Sequence, residues 1–469
     1  MIPRFQGLAL AWLLAARSLA WTLTVLALVL LSCQGNVESL GQTRGTPEGT
    51  TSQQDKPPAI PMVNKIAYVG SSGDLFTIDP DGGNRFNLTG GTRVGAAPQG
   101  GVLARAVETN NVYFWPTWSP DGALLAASRV TTTGGLPEVS VEVFDIVNGG
   151  VKTVYKNEMP SMIAEGAPHY LYWSPDSRSL ALLVSSPEAF ALVVADVRDI
   201  GGGELRDPDL IETGAPLYFH WGAGGNEILL HARNDVKLAA KPFESGLSTL
   251  LTVGQGFRTA ALSPDSGRIA YTATNENGSG SSLFVAETGA PGSGTAILEV
   301  GPSTAFAWSP DGAELAVAEG GGPDGPGFRR LLVVPAQGGP ARTLAEEAVI
   351  AFFWSPKGDS IAWVSADPQD LLLEWKVSPV NDFTPNLLFR FRPTVDVLTM
   401  LSFFDQYAYS HSPWSPDGAW LVVAGIREEP FAQRNGGSPR RERIFVLDAN
   451  GTTEPRELAE GSLGVWSWN

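Results

Sequence analysis

Serine and aspartate recur in this chain two residues apart, with a proline between them. The stretch W-S-P-D-G stands at 118–122, 308–312 and 414–418. Near copies are W-S-P-D-S at 173–177, L-S-P-D-S at 262–266 and W-S-P-K-G at 354–358. A hydroxyl beside a carboxylate is the raw material of nucleophilic catalysis. A catalytic pair is needed once, however, and sites are few per protein. Six Ser-Pro pairs at one phase point instead to a turn that the fold needs many times. Proline presets φ at about −65°, aspartate bonds the local backbone, and glycine supplies the positive φ that ends the turn. On this reading Trp118, Pro120, Asp121 and Gly122 are structural. So are Trp308, Pro310, Asp311 and Gly312, then Trp414, Pro416, Asp417 and Gly418, with Trp173 and Trp354. No catalytic residue is assigned among them. Gly312→Val should then cost about 1–3 kcal/mol of backbone strain, against about 1 kcal/mol for the turn hydrogen bond lost in Ser309→Ala.

The histidines are the next candidates. His169, His220 and His411 lie 4, 1 and 3 residues before tryptophans of the repeat, and His231 lies in the run that follows one. Side chains alternate faces along a strand, so His169 has opposite parity to the other two. Catalytic zinc needs three converging ligands, and these do not supply them. No metal or cofactor is expected. The run D-P-D-G-G-N at 79–84 begins like a calcium loop but lacks its later bidentate acid, and a hairpin turn accounts for it. The most unusual stretch is M-L-S-F-F-D-Q-Y-A-Y-S-H-S-P at 400–413. Aromatic groups beside a few polar ones suit recognition. Phe403, Asp405, Gln406, Tyr407 and His411, with His169 and His220, form a candidate recognition rim. The alternative places the phenylalanines in the core and the rest in a loop at the channel rim.

What positions these residues is a repeat. The tryptophan slot falls at 118, 173, 221, 262 (a leucine), 308, 354, 414 and 466, with gaps of 55, 48, 41, 46, 46, 60 and 52. Half of the 14 tryptophans occupy it. Each slot is followed by the turn, a short apolar run, a polar loop and a second run, for example 315–318 and 331–334. A glycine-rich turn and a third run such as 342–344 complete the unit. With the strand that carries the tryptophan, four short strands per repeat predict an all-β fold, a β-propeller of four-stranded blades. Eight slots predict eight blades; seven is the alternative if the weak repeat at 221 or 262 merges with a neighbour. The first repeat, from 65, lacks its tryptophan strand, and the chain ends on a lone one at 463–468. The C-terminal strand is expected to complete the first blade and remove an open sheet edge.

Composition agrees. Apolar residues make up 43% and charged residues 17% of the 469, with 53 glycines and 35 prolines, a mix suited to short strands and turns. The net charge of −17 comes without a basic stripe, which argues against binding nucleic acid. The single cysteine, Cys33, excludes an internal disulfide and ends an apolar run at 19–31 that follows Arg4 and Arg17. A basic start, an apolar segment and a small residue at the end read as a secretory signal. A membrane-spanning helix over 8–31 is the alternative. Residues 34–62 lack apolar periodicity and read as a tether.

The segment L-L-S-C at 30–33 resembles a bacterial lipobox. That resemblance implies residues 1–32 as a signal peptide, Cys33 as a lipidated first residue and 63–469 as the propeller. The repeat, and above all I-A-Y-V-G-S-S-G-D-L-F-T-I-D-P-D-G-G-N-R-F-N-L-T at 66–89, is similar to TolB-type propeller repeats. The likeness covers 65–469 and is specific for fold rather than activity. Such repeats occur in periplasmic scaffolds and in propellers that gate serine peptidases. This sequence shows neither TolB's additional N-terminal domain nor a G-x-S-x-G segment. The expectation is a lipid-anchored, monomeric envelope propeller. It would bind an envelope protein or a glycan or peptide ligand, and touch the membrane through its anchor alone. The alternative is a propeller enzyme of hydrolase or lactonase type, with its site at the mouth of the central channel.

Overall fold

The computed structural model describes residues 64–468 apart from 91–110, 134–135, 158–167, 187–188, 198–205, 244–245, 254–259, 275–279, 302, 322–326, 368–371 and 429–440. The leader, Cys33 and the tether lie outside the described residues. Tertiary contacts divide the chain into Met1–Lys56 and Pro57–Asn469, and everything below concerns the second unit.

The chain folds as a β-propeller. Five four-stranded antiparallel sheets follow one another along residues 112–156, 168–214, 217–252, 261–300 and 303–345. In each, consecutive strands pair in order. The tryptophan strand is first, as in Ser303–Trp308, Glu314–Gly321, Arg330–Pro335 and Arg342–Ala345. Both faces of these strands are buried. Leu315, Val317, Leu332 and Val334 pack with Trp308 and with Ala261, Ala270 and Leu283 of the preceding sheet, while Ala316, Ala318, Leu331 and Val333 on the other face join the core that includes Val349 and Ala351 of the next.

The remaining ten strands form one continuous sheet, from Val349–Trp354 through Arg456–Trp466 to Ile66–Gly70, Leu75–Ile78 and Phe86–Asn87. Two local features join its parts. The sequence predicts a strand at Trp414, but the structure has only a bridge there, Trp414↔Leu421. The residues before it are helical, and Pro413 contributes a carbonyl to Val422 N (2.8 Å) but no donor. Asn386–Pro393 therefore pairs directly with Trp420–Arg427. The second join is Arg456–Trp466, which serves two neighbours. Its first half pairs with Arg443–Asp448, and its last residues pair with the start of the ring, as Ile66↔Trp466, Ala67↔Val465, Tyr68↔Gly464 and Val69↔Leu463. A side chain at Gly461, where the strand changes partner, would put its Cβ 2.5 Å from the Val69 carbonyl.

The expected pairing of the chain's two ends is thus present, and it extends into the turn. Ser467 N donates to Lys65 O (2.8 Å) and Lys65 N donates to Ser467 Oγ (2.9 Å). In an uninterrupted repeat, Ser119 N donates to Leu124 O (2.9 Å) and Leu124 N to Ser119 Oγ (2.9 Å). The ends of the propeller rebuild the turn in two pieces.

Candidate functional site

Two groups of polar side chains qualify as sites by composition: the repeated serine–aspartate turns and the unique segment around 394–413. In the turns, chemistry and structure separate cleanly. Ser309 Oγ donates to Asp311 Oδ1 (2.6 Å) and accepts from Glu314 N (3.0 Å), while Ala313 N donates to the same carboxylate oxygen (2.9 Å). Gly312 N closes the turn on Ser309 O (2.9 Å) with φ +69°. The same bonds recur at Ser119–Asp121, Ser174–Asp176 and Ser415–Asp417. Where Lys357 replaces the acid, Asp359 bonds Ser355 instead (2.8 Å). The G-A-G-G-N copy keeps the backbone turn without the side chains, through Gly225 N to Gly222 O (2.9 Å). The serine hydrogen bond is the leading cause that holds Asp311, Asp417 and Asp265 below the usual carboxylate range. The carboxylate that accepts from each serine also accepts from a backbone amide of the same turn, and this arrangement recurs in several sheets. The hairpin at 79–84 is also structural: Asp79 pairs with the Lys65 ammonium and accepts from Asn84 Nδ2 (2.6 Å).

The tryptophans tie one sheet to the next. Trp173 Nε1 donates to Thr117 O (3.0 Å), Trp221 to Tyr172 O (3.1 Å), Trp308 to Ala261 O (3.1 Å) and Trp354 to Ala307 O (3.1 Å). Trp414 reaches Phe353 O (3.0 Å) and Trp118 reaches Val465 O (3.3 Å). In each case the acceptor precedes the slot residue of the neighbouring sheet. Slot Leu262 lacks the donor.

Residues 394–413 do something else. Thr394 caps the helix Val395–Ser402, its hydroxyl accepting from Val397 N (3.0 Å). A second short helix, Phe404–Tyr407, follows at once. Its side chains touch the first strands of several sheets together. Phe404 lies edge-on to Phe352 (centroids 4.9 Å apart). Tyr407 meets Trp115 (5.2 Å) and Tyr170 (4.9 Å), and Tyr409 meets His220 (4.3 Å). Tyr170 Oη donates to Gln406 O (2.7 Å), and Thr117 Oγ1 to Ser410 O (3.2 Å). Only a segment at the centre of the ring can touch the inner strands of so many sheets. The space where a propeller's channel would run is occupied here by the chain's own aromatic residues.

The candidate rim residues divide accordingly. Phe403 is 43% exposed and Asp405 is partly exposed, as a rim requires. Gln406, Tyr407, His411 and His220 are buried within the filling of the ring rather than displayed on its edge. The rings of Tyr407, His411 and His220 contribute to that packing. The backbone of His169 lies in Pro168–Trp173, but its side chain is outside the described residues. His231 is buried on another strand, Glu227–Ala232. Burial lowers His220 to about 4 and His411 to about 3, the latter against an opposing contribution from the Pro116 carbonyl. Both imidazoles are neutral at pH 7. His411 Nδ1 lies 2.7 Å from Ser410 Oγ, while His220 Nδ1 and Tyr409 Oη are buried without a hydrogen-bond partner among the described residues. No group of three or more His, Cys, Asp or Glu side chains suited to a metal occurs among the described residues.

Trp115 was not singled out from sequence. It sits at a bulge in Val112–Trp118, between Phe114 and Thr117, with φ +54°, a costly conformation for a bulky residue. Pro116 inside a strand was the available signal, because proline there marks a bulge.

No family model matches the chain, and no curated protein matches it. Among solved structures it is similar to TolB from Acinetobacter baumannii at 15% identity and TM-score 0.38, over 74% of this chain and 84% of that one. It is also similar to the β-propeller domain of the Trilobed protease from Pyrococcus furiosus, at 10% identity and TM-score 0.44 over 75% and 98%. Oligogalacturonate lyase from Vibrio parahaemolyticus matches at 10% identity and TM-score 0.47 over 76% and 85%. These values leave the propeller assignment resting on the strand pairing itself. No helix among the described residues is long and apolar enough to cross a membrane.

Proposed function

We propose that the chain is an exported, lipid-anchored propeller of eight blades that serves as a binding scaffold of the bacterial envelope. Five blades are the separate sheets, and the ten-stranded sheet supplies three more when divided at Trp414 and at Gly461. The anchor rests on Cys33 and its preceding apolar run. One observation carries the scaffold reading: residues 404–411 fill the ring centre. An enzyme with its site at the channel mouth needs open space there for a substrate. A scaffold needs only a rigid ring and exposed faces.

The anchor is tested by growing cells with a clickable fatty acid and separating membranes. The parent should carry the label and sediment with membranes, and Cys33→Ala should remain an unlabelled precursor. Equal labelling and fractionation would sink the lipoprotein reading. The scaffold role is tested separately, with a photoreactive residue placed in turn at exposed positions on both faces of the ring in living cells. Discrete adducts support it. A chain that cross-links to nothing from any position has no such role.

A further inference from the structure

The ring has two faces. Lys65 and Ser467 sit in the split turn, on the face of the turns. The helix Val395–Ser402 is fixed elsewhere: Thr394 Oγ1 donates to Ser462 O (2.6 Å) and Ser462 Oγ to Asp396 Oδ2 (2.5 Å). From Ser462 the extended chain runs through Leu463 and Trp466 to Ser467, about 17 Å for five residues. The helix therefore lies on the face opposite the split turn.

That helix leaves apolar surface uncovered. The described residues include six exposed large apolar side chains, and three belong to this segment: Val395 (53% exposed), Leu398 (47%) and Phe403 (43%). Positions i and i+3 share one helix face, and Phe403 caps its end. Exposed apolar side chains gathered on one element mark an interaction surface. Carboxylates border it. Glu442 is pushed up by burial and by the Asp396 charge, and Asp396 is itself pushed up by burial. The two carboxylates therefore lie close enough to repel one another at the surface. Asp405, at the other end of the segment, acts on Tyr409 and Tyr218. The nearby cations are already engaged: Arg392 with Glu428 (2.7 Å), Arg441 with Glu460 (2.9 Å), and Arg443 with Glu457 (3.4 Å) and Glu460 (3.2 Å). Among the described residues, Asp396 and Glu442 have no cation partner.

We infer that Val395, Leu398 and Phe403, bordered by Asp396, Glu442 and Asp405, dock an amphipathic basic peptide segment of an envelope partner. This rests on the scaffold reading and names its face and its partner's chemistry. Apolar side chains of the partner cover the helix, and its lysines or arginines face the bordering carboxylates, giving affinity and steering respectively.

The test uses the full chain, anchored in zwitterionic nanodiscs, and a fluorescent amphipathic peptide with leucines along one face and lysines on its flanks. Empty nanodiscs give the background. The peptide should bind, and a version with glutamates for lysines should not. Leu398→Glu, at an exposed position that leaves the fold intact by near-ultraviolet circular dichroism, should weaken binding by about tenfold or more. Glu442→Gln should weaken it by a smaller factor and flatten its salt dependence. Leu398→Glu binding as tightly as the parent would overturn the inference, since charge alone would then hold the peptide. Equal binding of the glutamate peptide would overturn it as well. Sedimentation of the parent as a dimer that Leu398→Glu dissolves would assign the face to a second copy instead. If these fail while cellular cross-links persist from other positions, the scaffold reading stands and this face does not.

Discussion

Ser309 and Tyr409 both hold a hydroxyl inside the protein, in different company. The serine donates to Asp311 and accepts from Glu314 N, and its bonds recur from blade to blade. The tyrosine hydroxyl has no hydrogen-bond partner among the described residues, and its ring meets His220 edge-on. An unsatisfied buried polar group costs about 1–3 kcal/mol. The turns are held by satisfied polar bonds, whereas the segment at the ring centre is held by apolar contact that must outweigh its polar atoms. The turns should therefore tolerate loss of apolar surface and fail on loss of a bond, and the centre should do the reverse.

The largest effect expected from that contrast is at Phe404. Its ring is buried against Phe352, Phe353 and Phe328. Phe404→Ala should lose about 3–5 kcal/mol in urea unfolding, and its exposed neighbour Phe403→Ala within about 0.5 kcal/mol. Similar, small losses at both positions would mean the blades do not lean on the central segment.

Acid should separate the two regions next. His220 and His411 have an ordinary value of 6.5 and are lowered to about 4 and about 3 by burial. Between those values the unfolded chain binds more protons than the folded one, so stability rises with pH there. The contribution is complete above about pH 6.5 and is lost as pH falls towards the folded values, at up to about 1.4 kcal/mol per unit for each histidine. Asp311 and Asp417, held low, lose theirs only below the ordinary carboxylate range. Asp396, held high, works the other way and gains as pH falls through its raised value. Unfolding free energies from urea melts at pH 7.5 and 4.5 should therefore differ by several kcal/mol, and His220→Phe with His411→Leu should remove most of the difference. An unchanged slope in the double variant would place the acid sensitivity elsewhere.

At the turns the structure revises the ordering expected from sequence. Ser309 bonds an ionised carboxylate as well as a backbone amide, and a bond to a charged group is worth about 1.5–3 kcal/mol. Ser309→Ala should thus cost as much as the about 1–3 kcal/mol of Gly312→Val. Thermal melts of the two, repeated at Ser119 with Gly122 and at Ser415 with Gly418, measure this. Three neutral serine variants would return the turn to its glycine alone.

These contrasts also explain what could be read from the sequence. The turns were legible because proline, aspartate and glycine each answer a local backbone requirement, and each copy repeats the answer. Closure was legible because Trp466 completes a register that the other slots establish. Residues 394–413 were not, because no local rule distinguishes an aromatic cluster that recognises a partner from one that fills a ring. The difference between Phe403 and Phe404 depends on which inner strands lie overhead. The strand expected at Trp414 failed for the same reason, since a unique insertion overrode the repeat beside it.

The smallest effect concerns two turns that end in serine instead of glycine. Ser177 and Ser266 both hold φ +59°, a conformation that favours glycine. Each repays part of that cost across the gap between blades: Ser177 Oγ accepts from Asp121 N (3.1 Å), and Ser266 Oγ from Ala223 N (2.7 Å). Ser177→Gly should relieve strain but lose the bond and gain unfolded-state entropy, leaving stability within about 0.5 kcal/mol of the parent. Ser177→Ala keeps the strain and loses the bond, and should cost about 1 kcal/mol. The pair separates backbone from side chain at one atom's resolution. If the alanine variant were as stable as the parent, the hydroxyl would contribute nothing between blades. The link between these two turns would then rest on the tryptophan and the packing behind it.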